Sequence, residues 1–252
     1  MPARDFDDLT EAYDAMIDWD RRLANEAPLY RWLFQRVGAR RVLDVACGSG
    51  RHAAMFHAGG MEVVGSDASE TMIRRCRKLH GESHRLRWDV RSFDRPPEEP
   101  GAFDVAICVG NSLALAADPL AVEAAVGAML QSVRPGGAVL LHVLNLWRLP
   151  DGPAQWQKCV RLPLGGADSL IIKGIHRAGA RGFVNMLVTR LGEARPALRS
   201  ECVHFLGLEA ANLTRMAMAG GAAAVEVFGD YQRSTYDRGA SQDLLALAIK
   251  AP

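Results

Sequence analysis

Five short apolar runs, separated by stretches that read as helices, constrain this chain more than any other feature. They are Val42–Ala46, Val63–Asp67, Leu86–Val90, Phe103–Val109 and Ala138–Val143. A strand that is apolar along most of its length, rather than at alternate positions, is covered on both faces. Strands that alternate with helices build a parallel sheet with helices packed on each side. The intervening stretches fit that plan. Arg51–Ala58 is followed by the helix stop Gly59-Gly60, Ser69 is a good N-cap for a helix to about Leu79, and Pro119–Val133 forms the next helix. Residues 7–37 carry Tyr13, Met16, Ile17, Leu23, Leu29, Trp32 and Leu33 at helical spacing and read as a helical cap ahead of the first strand.

The pattern changes after Asn145. Trp156–Leu164, Ser169–Arg177, Gly182–Leu191 and Leu198–Leu206 read as strands joined by polar or glycine-containing turns, an antiparallel insertion after the fifth strand. A helix over Glu209–Ala219 and a strand pair, Ala223–Phe228 with Asp243–Lys250, close the chain. No internal repeat or low-complexity linker interrupts it. The insertion is too short and too broken to stand as an independent domain. The 252 residues therefore read as one domain: cap 1–37, core 38–145, insertion 146–206, and a C-terminal helix and strand pair 207–252.

Charge and composition exclude several classes. The formal net charge of +1 gives no global attraction to nucleic acid or to an anionic membrane. The densest basic cluster, Arg74-Arg75-Cys76-Arg77-Lys78, reads as a solvated helix face. No apolar run approaches the roughly 20 residues that span a bilayer, and the acidic N-terminus lacks the apolar core of a secretory signal. The five cysteines are scattered and form no C-x-x-C pair, as expected for reduced, mostly buried thiols in a cytoplasmic protein. The seven histidines show no metal-ligand spacing, so no metal is expected.

The chemistry concentrates after the first strand. Gly48, Gly50 and Ala53 fit the spacing G-x-G-x-x-A, and the loop lies at the carboxyl end of a strand, where open α/β sheets bind ligands. Glycines there let the backbone adopt positive φ and approach a ligand closely. Asp67 ends the second strand, nineteen residues after Gly48, where a carboxylate can accept hydrogen bonds from both hydroxyls of a ribose. A nucleoside-containing ligand follows, either a dinucleotide or S-adenosylmethionine. Against the dinucleotide, the second half of the chain ends in a strand pair instead of a second βαβ half. The glycine spacing alone is a weak signal.

Four motifs carry a resemblance. Asp44-Val45-Ala46-Cys47-Gly48-Ser49-Gly50, Asp67-Ala68-Ser69-Glu70-Thr71-Met72, Asp89-Val90-Arg91 and Phe103-Asp104-Val105-Ala106-Ile107-Cys108 resemble, in order and spacing, the motifs of class I S-adenosylmethionine-dependent methyltransferases. The resemblance covers 40–145 and 223–250. It implies an α/β, Rossmann-like, seven-stranded sheet with helices on both faces. It also implies S-adenosyl-L-methionine as cofactor, bound through Asp44, Gly48, Gly50, Asp67, Ala68 and Met72, with Asp89 at the adenine amino group and Val90 lining its ring.

Three further stretches are similar to glycine and glycine/sarcosine N-methyltransferases. Ile17-Asp18-Trp19-Asp20-Arg21-Arg22 looks like their "IDWDxR" segment and Ile107–Leu113 like their "ICLGNSF" segment. Gly229-Asp230-Tyr231-Gln232 with Tyr236 looks like "GDFQxxY". By that resemblance Arg22 pairs with the methionine carboxylate, which a guanidinium grips bidentately. Tyr13 packs near the cofactor, Ala46 faces the methionine amino group, Val109 contacts it by backbone, and Asn111 holds the acceptor's amino group as the catalytic residue. Each residue has a plainer reading: a core aromatic for Tyr13, a surface ion pair for Arg22, a helix cap for Asp67, and turn residues for Asp89 and Asn111. One departure stands out. Where those enzymes have "RNYD", whose arginine holds the substrate carboxylate, this chain has Leu144-Asn145-Leu146-Trp147. A leucine binds no carboxylate, and an apolar wall penalises a desolvated one. Glycine is therefore disfavoured. Leu144 and Trp147, if they face the acceptor rather than the core, fit a larger or less polar one, with Arg148 a nearby cation.

Methyl transfer to a neutral amine needs orientation and exclusion of water more than a base. Oxygen methylation needs a base more. His142 and Asn145 are candidate helpers, and a core role for His142 is the plainer reading. The expected activity is small-molecule amine N-methylation. O-methylation, a non-catalytic S-adenosylmethionine-binding role and a nicotinamide-dependent oxidoreductase are the rivals. Near-neutral charge and the lack of an N-P-P-Y-like motif argue against nucleic acid as substrate. Assembly as a homo-oligomer is left open.

Overall fold

The computed structural model describes residues 12–96, 98–192 and 198–252. In chain order the elements are α1 (Trp19–Val37), β1 (Arg41–Val45), α2 (Arg51–Ala58), β2 (Glu62–Asp67), α3 (Glu70–His80), β3 (Leu86–Val90), β4 (Phe103–Cys108), α4 (Pro119–Ser132) and β5 (Val133–Leu144). Then come β6 (Gln155–Leu164), β7 (Ala167–Ala178), β8 (Arg181–Arg190), β9 (Leu198–Leu206), α5 (Ala210–Ala219), β10 (Ala222–Phe228) and β11 (Asp243–Lys250). They form two compact units. One comprises Leu23–Arg148 with Leu208–Pro252, and the other the residues to Arg22 with Leu149–Gly207.

The larger unit holds a seven-stranded sheet of order β10-β11-β5-β4-β1-β2-β3. Strands β1 to β5 are mutually parallel, and β11 runs antiparallel between β5 and β10. This is the Rossmann-like sheet expected. Its central strands are buried on both sides: Val42, Leu43, Val105, Ala106, Ile107, Val139, Leu140 and Leu141 are all essentially inaccessible. Leu29, Tyr30 and Leu33 of α1 pack with Phe56 of α2, Ile73 of α3 and Trp88 in one core. Ser69 accepts a hydrogen bond from the Met72 N–H and caps α3, as its sequence position requires.

Two expectations need correction. The helical periodicity over 7–37 is not one helix: residues 12–15 are helical, 16–18 form a break, and α1 begins at Trp19. Asp18 Oδ1 accepts from the Arg21 N–H at 3.1 Å, an N-cap that starts a new helix and leaves the apolar period intact. Residues 7–11 lie outside the described residues. The fifth strand also begins earlier than Ala138, because Arg134-Pro135-Gly136-Gly137 continues the strand through an irregularity opposite β4.

The smaller unit is a four-stranded antiparallel sheet, β6-β7-β8-β9. Ala12 and Met16 pack with Ile171, Met186 and Val188 on one of its faces. Among the described residues, no helix is long and apolar enough to cross a membrane.

Candidate active site

Register sets the site. Asp44 pairs with Ile107, Val45 with Ser66, Asp67 with Val90, and Cys108 with Leu141. The carboxyl ends of β1 to β5 therefore end along one edge of the parallel sheet. The loops after them carry Ala46–Gly50, Ala68, Arg91, Val109–Asn111 and Asn145.

The loop after β1 is built from left-handed backbone. Ala46 has φ 54°, Gly48 φ 53° and Gly50 φ 74°. Ala46, with a side chain, holds a conformation that L-residues seldom adopt outside functional loops. The two glycines serve different ends. A Cβ on Gly50 would lie 2.7 Å from Trp88 Cη2 and 2.9 Å from Cys76 Sγ, so Gly50 lets the loop sit on the core. A Cβ on Gly48 would meet nothing within 4 Å, so the space over Gly48 is open.

Asp67 closes the loop. Its Oδ2 accepts the Gly48 N–H at 3.0 Å and its Oδ1 accepts the Ser69 N–H at 2.9 Å. A carboxylate offers about four acceptor positions, so each oxygen keeps one. Asp89 and Val90 stand beside it at the end of β3; both are exposed, Val90 at 53%. Met72 is half-buried in the first turn of α3, and Ala68 is exposed.

Beneath the loop lies a buried charged cluster of which the sequence reading named only Asp44, as a cofactor-binding residue. Asp44 is 1% exposed, and its Oδ2 accepts the Ala53 N–H at 3.1 Å. Burial pushes its carboxyl up to about 6, opposed by His52 and by the Ala53 bond and assisted by Asp67 and Glu26. His52 Nε2 lies 2.7 Å from Glu26 Oε2, and Tyr30 Oη donates to the same oxygen at 2.8 Å. Tyr231, from the segment after β10, packs edge-on to Tyr30. Burial raises the Tyr30 phenol well above its usual range, with Tyr231 and Glu26 adding to the effect. Only an i, i+4 relation of Glu26 and Tyr30 was available as a signal.

The ends of β4 and β5 are tied together. Asn111 has φ 71°, and its Oδ1 accepts the Leu144 N–H at 3.0 Å. The Gly110 N–H donates to His142 Nδ1 at 3.1 Å, and His142 Nε2 lies 3.1 Å from Asp243 Oδ1. A backbone donor at Nδ1 places the imidazole proton on Nε2, facing the carboxylate. Asn145 is fully buried. Its Nδ2 donates to the carbonyls of Arg238 and Ser241, and its Oδ1 accepts from Tyr236 Oη at 3.2 Å. It is a structural clasp, not an acid–base group. Trp147 Nε1 donates to the Leu208 carbonyl, and the Arg238 guanidinium lies over its ring at 4.3 Å. Leu144 is half-buried, Val109 buried and Arg148 exposed. Tyr13 and Arg22 belong to the smaller unit, where Tyr13 lies under Lys173 and Arg22 over the Trp19 ring.

This geometry separates the two ligand classes. A pyrophosphate at a glycine loop needs the backbone N–H groups of the loop and of the following helix turn. Here two of those donors, Gly48 and Ala53, are already bonded to Asp67 and Asp44. The acids that accept them would repel a phosphate and attract a cation. A ligand with a ribose, no phosphate and a positive centre fits. Known proteins agree. The methyltransferase-domain family matches residues 42–137. The ubiquinone biosynthesis O-methyltransferase of Bordetella bronchiseptica is 32% identical over 182 residues, 64% of this chain and 73% of that protein. The chain belongs to the class I S-adenosylmethionine-dependent methyltransferases.

Other known proteins are similar to part of the chain. The glycine/sarcosine N-methyltransferase of Parasynechococcus marenigrum is 32% identical over 150 residues, covering 58% of this chain. The chain spans about half the length of that relative, 52%. Among solved structures, the sugar N-methyltransferase KedS8 from Streptoalloteichus superposes with a TM-score of 0.75 at 22% identity, covering 91% of this chain and 88% of that one. That likeness bears on the fold.

Proposed function

We propose that this methyltransferase methylates the nitrogen of a small-molecule amine. The observation that carries the reading is the state of His142. Both of its ring nitrogens are committed within the fold, to the Gly110 N–H and to Asp243. An imidazole held this way positions the loop after β4 and does not collect a proton from an acceptor. A neutral amine needs no such collection, whereas a hydroxyl acceptor benefits from a base. The similarity to glycine/sarcosine N-methyltransferases points the same way.

S-adenosylmethionine supplies an electrophilic methyl group on a sulfonium. The protein's residues orient, screen and hold. Asp67 accepts the two ribose hydroxyls with the lone pairs its backbone bonds leave. Asp89 takes the adenine amino group, and Val90, Ala68 and Met72 line the ring. Ala46 and Val109 offer backbone to the methionine portion, Asp44 fixes the start of α2 beneath it, and the open space over Gly48 admits the ligand. On the sequence resemblance alone, Arg22 is assigned to the methionine carboxylate and Tyr13 to packing near the cofactor. Asn111 Oδ1, fixed by the Leu144 N–H, keeps a lone pair that accepts an amine N–H and so turns the nitrogen's own lone pair outward. Leu144 disfavours glycine and favours a larger or less polar amine. Trp147 is held by Leu208 and Arg238, so it shapes the site as a fixed wall, with Arg148 on the turn beside it.

The test is release of S-adenosylhomocysteine from the purified protein, with glycine, sarcosine, larger amines, phenols and catechols in parallel. Turnover of amines, with glycine the poorest, is expected. Turnover confined to the hydroxyl acceptors overturns the nitrogen assignment.

A further inference from the structure

Backbone polar groups in a buried turn need partners, and those of the loop after β1 have them. The Cys47 carbonyl accepts the Gly50 N–H at 2.9 Å, and the Gly50 carbonyl accepts the Ala54 N–H at 2.9 Å as α2 begins. The Cys47 N–H donates to the Ser66 carbonyl at 2.9 Å, and the Gly48 N–H donates to Asp67. The carbonyls of Gly48 and Ser49 turn instead to side chains of α3. Cys76 Sγ donates to the Gly48 carbonyl at 3.1 Å. His80 Nε2 lies 2.9 Å from the Ser49 carbonyl. A carbonyl only accepts, so Nε2 carries the proton. The two donors are four residues apart and project from one face of the helix.

The helix is a fixed frame for these donors. Ser69 caps its first turn, and the Trp88 Nε1 bond to the Gly81 carbonyl ties down the residue after its last. The half-buried His80 ring lies tilted against Trp88, with 5.9 Å between centroids, and Cys76 is fully buried. Cys76 meets the loop a second time. The Cys47 thiol is hydrogen-bonded to it, which together with burial holds Cys47 well above its usual range. The single Cys76 hydrogen is given to Gly48, so Cys47 is the donor in that contact. The loop needs such holding. Gly48 and Gly50 flank Ser49, both at positive φ, and glycine has more backbone freedom to lose than any other residue. The peptides from 48 to 50 are therefore the easiest in the loop to turn over, and theirs are the carbonyls that α3 holds.

We propose that Cys76 and His80 are positioning residues for the cofactor: they clasp the Gly48 and Ser49 carbonyls and hold the loop in its binding conformation before the ligand arrives. The inference rests on the assignment of S-adenosylmethionine to this loop. It adds that part of the affinity resides in α3 and acts through the backbone of residues 48–50. A loop already ordered loses less freedom on binding, which raises affinity without a new contact.

The test separates the donors from the packing. His80→Phe keeps a ring against Trp88 and removes the N–H, whereas His80→Gln keeps a side-chain N–H donor. Cys76→Ala removes the thiol, and Cys76→Ser keeps a donor of similar size. Affinity for S-adenosylhomocysteine is measured on the full chain by calorimetry, and exchange of the Gly48 and Gly50 amides by NMR without ligand. Thermal unfolding of the same samples reports the fold. Freeing the backbone of about one residue weakens binding about tenfold. That loss is expected in His80→Phe and in Cys76→Ala, with faster exchange of both loop amides, and His80→Gln and Cys76→Ser are expected to restore affinity and protection. The His80 pair decides alone if Cys76→Ala does not fold. Full affinity in a folded His80→Phe overturns the proposal, as does weakened binding with loop amides exchanging as in the wild type. So does a folded His80→Gln that stays as weak as His80→Phe. Wild-type protein that binds no S-adenosylhomocysteine overturns the cofactor assignment and the proposal together, whereas unaffected variants of a protein that binds it overturn the clasp alone. No acceptor enters the measurement, so its outcome is independent of the nitrogen reading.

Discussion

The two glycines of the loop after β1 differ in a way that alanine substitution separates. Gly50→Ala introduces a Cβ 2.7 Å from Trp88 Cη2 and 2.9 Å from Cys76 Sγ. Neither neighbour can give way. Trp88 is fixed by its Nε1 bond to the Gly81 carbonyl at 2.7 Å, and both side chains are fully buried. Overpacking of that kind costs about 1–3 kcal/mol, and the left-handed backbone adds about 1–2 kcal/mol. The total is about 2–5 kcal/mol. Gly48→Ala carries only the backbone cost, about 1–2 kcal/mol, because nothing lies within 4 Å of its Cβ. Restriction of the unfolded chain returns about 0.4–1 kcal/mol in both variants, so the contrast survives. Its methyl group instead occupies the space where the ligand is proposed to approach. Urea unfolding, with unchanged m values, should rank Gly50→Ala well below Gly48→Ala in stability. Calorimetry with S-adenosylhomocysteine should show Gly48→Ala weakened at least tenfold while it remains folded. Equal destabilisation of the two, or full affinity in Gly48→Ala, would refute the division of roles.

Other outcomes follow from the same geometry. Asp44, raised to about 6 from an ordinary 3.8, binds its proton more tightly folded than unfolded; its contribution to stability is greatest at low pH and falls by about 3 kcal/mol as pH rises from about 4 to about 6. Asp44→Asn, whose carbonyl still accepts the Ala53 N–H, should flatten that part of the stability–pH curve, and an unchanged slope would place the charge elsewhere. Asp67→Asn turns one acceptor into an NH₂ group facing a backbone N–H, either Gly48 or Ser69; S-adenosylhomocysteine affinity should drop at least tenfold by calorimetry, with about 1–3 kcal/mol lost in stability. His142→Asn should lower kcat by loosening the Gly110–Asn111 turn while leaving the alkaline and acidic limbs of the pH–rate profile in place, whereas loss of a limb would mark His142 as a base. Asp104 is held below the ordinary carboxylate range. Burial opposes this, but bonds from the Arg41 and Arg40 N–H groups and from Arg134 outweigh it. Its stabilisation is present above about pH 4 and lost as pH falls below it, and Asp104→Ala should cost about 2 kcal/mol in neutral urea titrations.

The parallel core was legible because its signals are local. Each buried strand is a short apolar run, and Ser69 marks a helix start by side-chain chemistry that acts within three residues. The break before Trp19 was not legible, because a capping aspartate in phase with the apolar period leaves that period unbroken. The loop glycines and Asp67 were legible for the same local reason: a strand end, a turn and a carboxylate nineteen residues on. What escaped the sequence are the long-range polar closures. Glu26 meets His52 across 26 positions, His142 meets Asp243 across 101, and Asn145 meets Tyr236 across 91. No periodicity ties such residues together. Each is a charge or amide that burial would make costly alone, so the fold must supply its partner from wherever the chain passes. That rule also explains why His142, a candidate acid–base helper in the sequence with a core role as the plainer reading, has both ring nitrogens fastened within the fold.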